Sequence, residues 1–185
     1  MPIYYRPKEE FEIISKEQIE QYLNLSYDEE FKVLLALVWL TGARISEVIE
    51  LKPSNFMVSE TEVLVSIKAK KHGKVGYRLF DLEKTPFLKD LVLPYVFSFP
   101  KESRMFFRSK RRYEQLLKEL NESIHGNNFK NYITFHQLRH SRTTYLARIL
   151  KAFPEELKAW FGHRSNAFEE YYQPRRVERF KDKIM

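Results

Sequence analysis

Apolar positions in this chain follow a helical period over most of its length and switch once, near the middle, to a period of two. Ser15 with Gln18, and Ser26 with Glu29, have the spacing of capping boxes, so a helix is expected to open at each. The second helix carries the run Phe31 to Leu40, whose nearly all-round apolar character predicts burial. Thr41-Gly42 breaks it, and Arg44 to Leu51 reads as a short helix stopped by Pro53. Val63, Val65 and Ile67 then alternate up to Lys70, Lys71-His72-Gly73-Lys74 supplies a turn, and Tyr77 to Leu82 returns, which is the pattern of a β-hairpin. Helical signals resume over residues 87–97 and 111–123. Thr134 with Gln137 caps a long helix expected to reach about Leu150, Pro154 opens a short one, and Asn166 to Tyr172 forms another before Pro174 starts a basic tail. The expected class is α+β, mainly helical, with a small antiparallel β-sheet.

Composition narrows the function classes. At 185 residues and 43% hydrophobic, the chain fits one domain with an ordinary core. Its formal charge of +7 and pI near 9.4 favour a polyanionic partner, because each Lys or Arg placed on a phosphate releases condensed counterions. The absence of cysteine excludes disulfides, Cys-ligated zinc and thiol nucleophiles together. Met1 to Phe11 lacks the apolar segment of a signal peptide, and no run approaches the roughly 20 residues that span a bilayer. A cytoplasmic, intracellular protein with no membrane partner is expected. Abundant Lys and Glu with no Cys and few Gly suit a thermophilic source.

Four segments carry chemistry: Thr41-Gly42-Ala43-Arg44-Ile45-Ser46-Glu47, the lysine-rich hairpin turn, His136-Gln137-Leu138-Arg139-His140, and Gly162-His163 followed by Tyr171-Tyr172. Each has a plain explanation when taken alone. Arg44 is spaced to pair with Glu47 on one helix, and the hairpin lysines fit a solvated turn. His136 and His140 have the i,i+4 spacing of a zinc pair, but Gln137 stands where a metallohydrolase has its glutamate base, and no third ligand is evident. Together the segments suit a phosphate. His136 and Arg139 share a helical face, a guanidinium grips two phosphate oxygens in a fixed fork, and a second arginine clamps from another side. Two such cations stabilise the charge of a five-coordinate phosphorus, and a tyrosine hydroxyl is a competent nucleophile. Nothing in this reading selects which of the 11 tyrosines acts.

The same residues resemble the catalytic domain of tyrosine site-specific recombinases, the phage-integrase and Xer-type enzymes. T-G-A-R-I-S-E is similar to the first arginine box, H-Q-L-R-H to the H-x-x-R box, and F-G-H to the family's L-G-H. The resemblance runs from about Phe11 to the C-terminus, and with the composition it suggests a thermophilic archaeal virus or plasmid as the source. It implies Arg44, His136, Arg139 and His163 as catalytic residues, with Tyr172, nine residues after His163, as nucleophile and Tyr171 as a packing neighbour. Lys70, at the end of the first hairpin strand, is taken as the lysine that protonates the leaving 5′ oxygen. The implied activity is metal- and ATP-independent cleavage and rejoining of DNA through a 3′-phosphotyrosyl link, with no cofactor. Partners implied are double-stranded DNA at a specific site and a homotetramer formed on it from a protein that is monomeric in solution. Lys71, Lys74, Arg111 and Arg112 are expected on the DNA backbone, with Arg108, Lys110 and the tail cations as further candidates. Val177, Phe180 and Ile184 form an apolar stripe suited to docking on a neighbouring protomer. The family's N-terminal core-binding domain is expected to be missing, leaving residues 1–185 as a single catalytic domain. Two alternatives remain: a type IB topoisomerase-like nicking and resealing enzyme, and an inert DNA-binding module.

Overall fold

The computed structural model describes residues 13–71, 73–162 and 184. Helix α1 (Lys16–Leu25) opens on the expected capping box, in which the Ser15 hydroxyl accepts from the Gln18 amide and the Gln18 side chain accepts from the Ser15 amide. Helix α2 (Glu29–Thr41) opens differently from expectation. Its cap is Asp28, which accepts the Phe31 amide at 3.0 Å, while the Ser26 hydroxyl is used one step earlier on the Asp28 amide. A carboxylate at the positive helix end is the better acceptor, so Asp28 displaces Ser26. Every residue from Val33 to Leu40 is at most 3% exposed, so α2 is the axis of the core. Helices α1, α3 (Ile45–Ile49) and α6 (Phe135–Thr144) pack around it.

The sheet has three antiparallel strands in the order β1 (Phe56–Val58), β2 (Glu62–Lys68) and β3 (Val75–Asp81), one strand more than the hairpin read from the sequence. Val63, Val65 and Ile67 face inward and pair with Phe80, Arg78 and Gly76. Residues 87–92 form a wide helical turn leading into α4 (Leu93–Val96). The Leu93 amide reaches back to the Leu88 carbonyl, and Pro94, which has no amide hydrogen, cannot restore the ordinary ladder.

Helix α5 (Lys110–His125) is amphipathic and buries Tyr113, Leu117 and Asn121. The helix expected from Thr134 to Leu150 is regular only to Thr144; the Leu150 amide then bonds the Tyr145 carbonyl, widening the last turn. Helix α7 (Pro154–Phe161) lies on β3, with Trp160 fully buried and edge-on to Phe80 at 5.6 Å. The helix expected over Asn166 to Tyr172, with Val177 and Phe180 of the tail, lies outside the described residues. Ile184 is buried within the core of its own chain, a position unlike the intersubunit stripe expected of it.

Candidate active site

The first arginine is positioned by the way α2 ends. Gly42 takes a left-handed conformation (φ 66°), and a Cβ there would lie 2.9 Å from Arg142 Cβ, so both the backbone and the space require glycine. Trp160 holds the turn by donating its indole N–H to the Thr41 carbonyl at 2.7 Å. Arg44 then caps α3. Its amide donates to Glu47 Oε2 at 2.9 Å and its Nη1 to Oε1 at 3.3 Å. The pairing foreseen between these two residues is present, yet Glu47 does more than pair. It is 4% exposed, also accepts the Lys70 amide at 3.3 Å, and lies 4.0 Å from Arg139 Nη1. One buried carboxylate thus ties together three of the segments singled out in the sequence.

The second arginine comes from α6, whose Thr134–Gln137 capping box is formed as expected. Arg139 donates to the Gly42 carbonyl at 3.0 Å, and its guanidinium lies 4.9 Å from the centre of the Phe161 ring. Burial, and then the neighbouring Arg44 charge, lower its proton affinity, while Glu47 opposes the shift. His136 is exposed on the same helix, with His140 one turn on; their Nε2 atoms are 2.6 Å apart and their rings perpendicular. Arg142, one turn on from Arg139, is a structural cation. It is fully enclosed, donates Nε to the Trp39 carbonyl at 3.0 Å, and lies over the Trp39 and Tyr145 rings. Burial pushes its guanidinium down to about 10.

The hairpin brings Lys70 against α3. Its ammonium bonds Glu50 at 2.8 Å, on an exposed side of the site. Lys71 is exposed and Lys74 half-buried at the turn, where the Lys74 carbonyl accepts the Ala69 amide at 2.7 Å. Gly162 closes α7 in a left-handed conformation, and a Cβ on it would lie 2.7 Å from the Gly76 nitrogen. The end of α7 is therefore pressed onto the start of β3, immediately before His163 in the sequence. His163, Tyr171 and Tyr172 lie outside the described residues.

Arg44, His136 and Arg139 line one cleft of about 470 Å³ between α3, α5 and α6. Leu117, Ile133 and Phe135 contribute apolar surface to it, and Lys110 and Lys118 bring cations from α5. Lys110 was foreseen as a backbone contact; Lys118 was not, although it falls on the same face as Lys110 and Glu114 at helical spacing. Arg111 and Arg112 do not line the cleft: Arg111 is exposed on α5, and Arg112 pairs with Glu119 at 3.3 Å. Arg108 is held by Asp28 at 2.6 Å. No helix among the described residues is long and apolar enough to cross a membrane.

Two arginines drawn from opposite halves of the chain, with a histidine beside them, meet at one cleft on a mainly helical scaffold. The phage integrase family model matches residues 12–178, and the chain belongs to that family. Its fold is that of the catalytic domain of tyrosine recombinases. The chain is similar to the XerH site-specific recombinase bound to difH substrate in a pre-cleavage complex, with 18% identity and a TM-score of 0.62 over 85% of this chain and 49% of that one. The post-cleavage complex of XerH on a palindromic difH substrate gives 18% identity and 0.63 over 89% and 50%. The integrase of mycobacterium phage Brujita gives 17% identity and 0.64 over 96% and 59%. The chain thus spans about half the length of the solved recombinases it matches. No curated protein matches its sequence significantly. None of these comparisons points to a thermophilic or archaeal source.

Proposed function

We propose that this domain cleaves and rejoins double-stranded DNA at a specific site through a covalent 3′-phosphotyrosyl intermediate. The observation that carries this reading is the convergence of Arg44 and Arg139 on Glu47 and Gly42, beside His136, at the wall of a cation-lined cleft. Arg44 and Arg139, with His163, hold the non-bridging oxygens of the scissile phosphate and stabilise the charge that accumulates as phosphorus becomes five-coordinate. Tyr172 attacks in line, and its bond to phosphorus replaces the bond to the 5′ oxygen. His136 accepts the phenolic proton, and nearby cations favour the ionised phenol, whose ordinary pKa near 10 makes it a poor nucleophile at neutral pH. Lys70 protonates the departing 5′ oxygen, which requires its ammonium to leave Glu50. The phosphodiester energy is conserved in the protein–DNA bond, so the chemistry calls for neither ATP nor a metal ion. The 5′-hydroxyl of a partner duplex then attacks the phosphotyrosine, releases Tyr172 and completes the exchange. Lys71, Lys74, Arg111 and Arg112 contact the DNA backbone outside the cleft, and a homotetramer assembles on the DNA. This function places the protein inside the cell, on DNA.

Covalent trapping tests the proposal. Nicked suicide duplexes with a randomised centre are incubated with the protein, and species that survive denaturation are recovered and sequenced. Wild type and Tyr171→Phe should form the adduct on an enriched sequence, and Tyr172→Phe should not. Adduct from Tyr172→Phe but not from Tyr171→Phe would reassign the nucleophile. Relaxation of supercoiled plasmid without recombinant products would replace recombination with a topoisomerase reading.

A further inference from the structure

The histidine pair on α6 is not exhausted by a single catalytic histidine. His136 and His140 lie one turn apart on the solvent side of a helix whose first turn is fixed by the Thr134 capping box. Their Nε2 atoms converge to 2.6 Å with perpendicular rings, so the two nitrogens border one point. His136 is exposed and His140 partly so. Two imidazoles at i,i+4 meeting at one point form a bidentate chelate. A tetrahedral ion with nitrogens at about 2.0–2.1 Å needs them roughly 3.3 Å apart, a change within reach of small ring rotations. Burial, His136 and then Arg139 all lower the proton affinity of His140. The same Arg139 charge opposes a dication, so the site is weaker than an isolated pair. Among the described residues no third His, Cys, Asp or Glu joins them.

We infer that His136 and His140 form a reversible binding site for a borderline transition-metal dication (Cu²⁺, Ni²⁺ or Zn²⁺), and that its occupancy blocks DNA cleavage by sequestering His136. The inhibitory half rests on the role proposed above for His136; the binding half does not.

Titration of the whole chain with NiCl₂ and ZnCl₂ by calorimetry, and Cu²⁺ electron paramagnetic resonance, test the site. Affinity should follow Cu²⁺ above Ni²⁺, with Mg²⁺ not bound, and should weaken as pH falls and the imidazoles take up protons. His136→Ala and His140→Ala should each weaken Ni²⁺ binding by about tenfold or more, because each turns a chelate into a single ligand. The Cu²⁺ spectrum of the wild type should show two coupled imidazole nitrogens, a readout that does not depend on either variant folding. Unchanged Ni²⁺ affinity in folded His140→Ala, or a single coupled nitrogen in the wild type, overturns the site. In the trapping assay, Zn²⁺ should suppress the covalent adduct and EDTA should restore it. Stoichiometric binding of Zn²⁺ with undiminished adduct would leave the site standing and overturn the inhibition, and with it the proposed part of His136 in cleavage.

Discussion

Glu47→Gln perturbs the site at the point where its segments meet. The carboxylate accepts from the Arg44 amide, Arg44 Nη1 and the Lys70 amide, and lies 4.0 Å from Arg139 Nη1. A glutamine offers one acceptor oxygen and one NH₂ in the same volume. With the amide oxygen at the Oε2 position, the NH₂ faces Arg44 Nη1 and the Lys70 amide; turned over, it faces the Arg44 amide and approaches Arg139. Either orientation sets donor against donor and leaves two guanidiniums without their buried counter-charge. Hydrogen bonds to a charged partner are each worth about 1.5–3 kcal/mol, and stripping one partner from a buried pair costs about 3–5 kcal/mol. The Arg44 side chain is 40% exposed, so water replaces part of what it loses. The expected cost is therefore about 2–3 kcal/mol, which lowers Tm by roughly 4–12 °C for a domain of this size. Loss of arginine placement should slow adduct formation by about 100-fold or more, the usual consequence of displacing a reacting group by an ångström. Thermal unfolding by circular dichroism and single-turnover trapping on a suicide duplex read the two effects. A Tm and a trapping rate both equal to wild type would refute Glu47 as the organising group.

Gly42→Ala combines a left-handed backbone with a Cβ 2.9 Å from Arg142, so a loss of about 2–5 kcal/mol is expected by urea denaturation, the sum of the conformational and overpacking costs. Tyr22, buried with its hydroxyl donating to Asn121 at 2.6 Å, is pushed up to about 12 chiefly by burial. The unfolded phenol ionises near 10, so this stabilisation is intact below about pH 10 and lost as pH rises toward about 12; Tyr22→Phe should flatten an alkaline unfolding curve over that window. Lys70→Ala should block cleavage of an ordinary 5′ oxygen yet spare a substrate with a 5′-thiol leaving group, which needs no proton. Equal loss on both substrates, measured as adduct yield, would remove Lys70 from the acid role. Lys118→Ala should weaken DNA binding and flatten its salt dependence by about one ion, whereas an unchanged slope would place this lysine off the DNA.

Much of this protein follows from local rules acting on the sequence. Capping boxes at Ser15 and Thr134, the apolar run of α2, and the alternation of Val63, Val65 and Ile67 specify elements because their determinants lie within a few residues of each other. Arg44, His136 and Arg139 were legible through their resemblance to the recombinase boxes, and the fold gathers them at one cleft. The use of Asp28 as a cap was readable too, had the charge of the helix end been weighed over the commoner serine. What only the tertiary structure decided are relations between distant segments. Glu47 looked like one half of an i,i+3 pair, and its wider role emerges only when the end of β2 and helix α6 arrive beside it. The cations that share the cleft with the arginines are Lys110 and Lys118, whereas Arg111 and Arg112 turn away, because burial of Tyr113, Leu117 and Asn121 sets the rotation of α5 about its axis. A sequence records which side chains are present and their local period; which of them share a dielectric environment depends on how the helices dock.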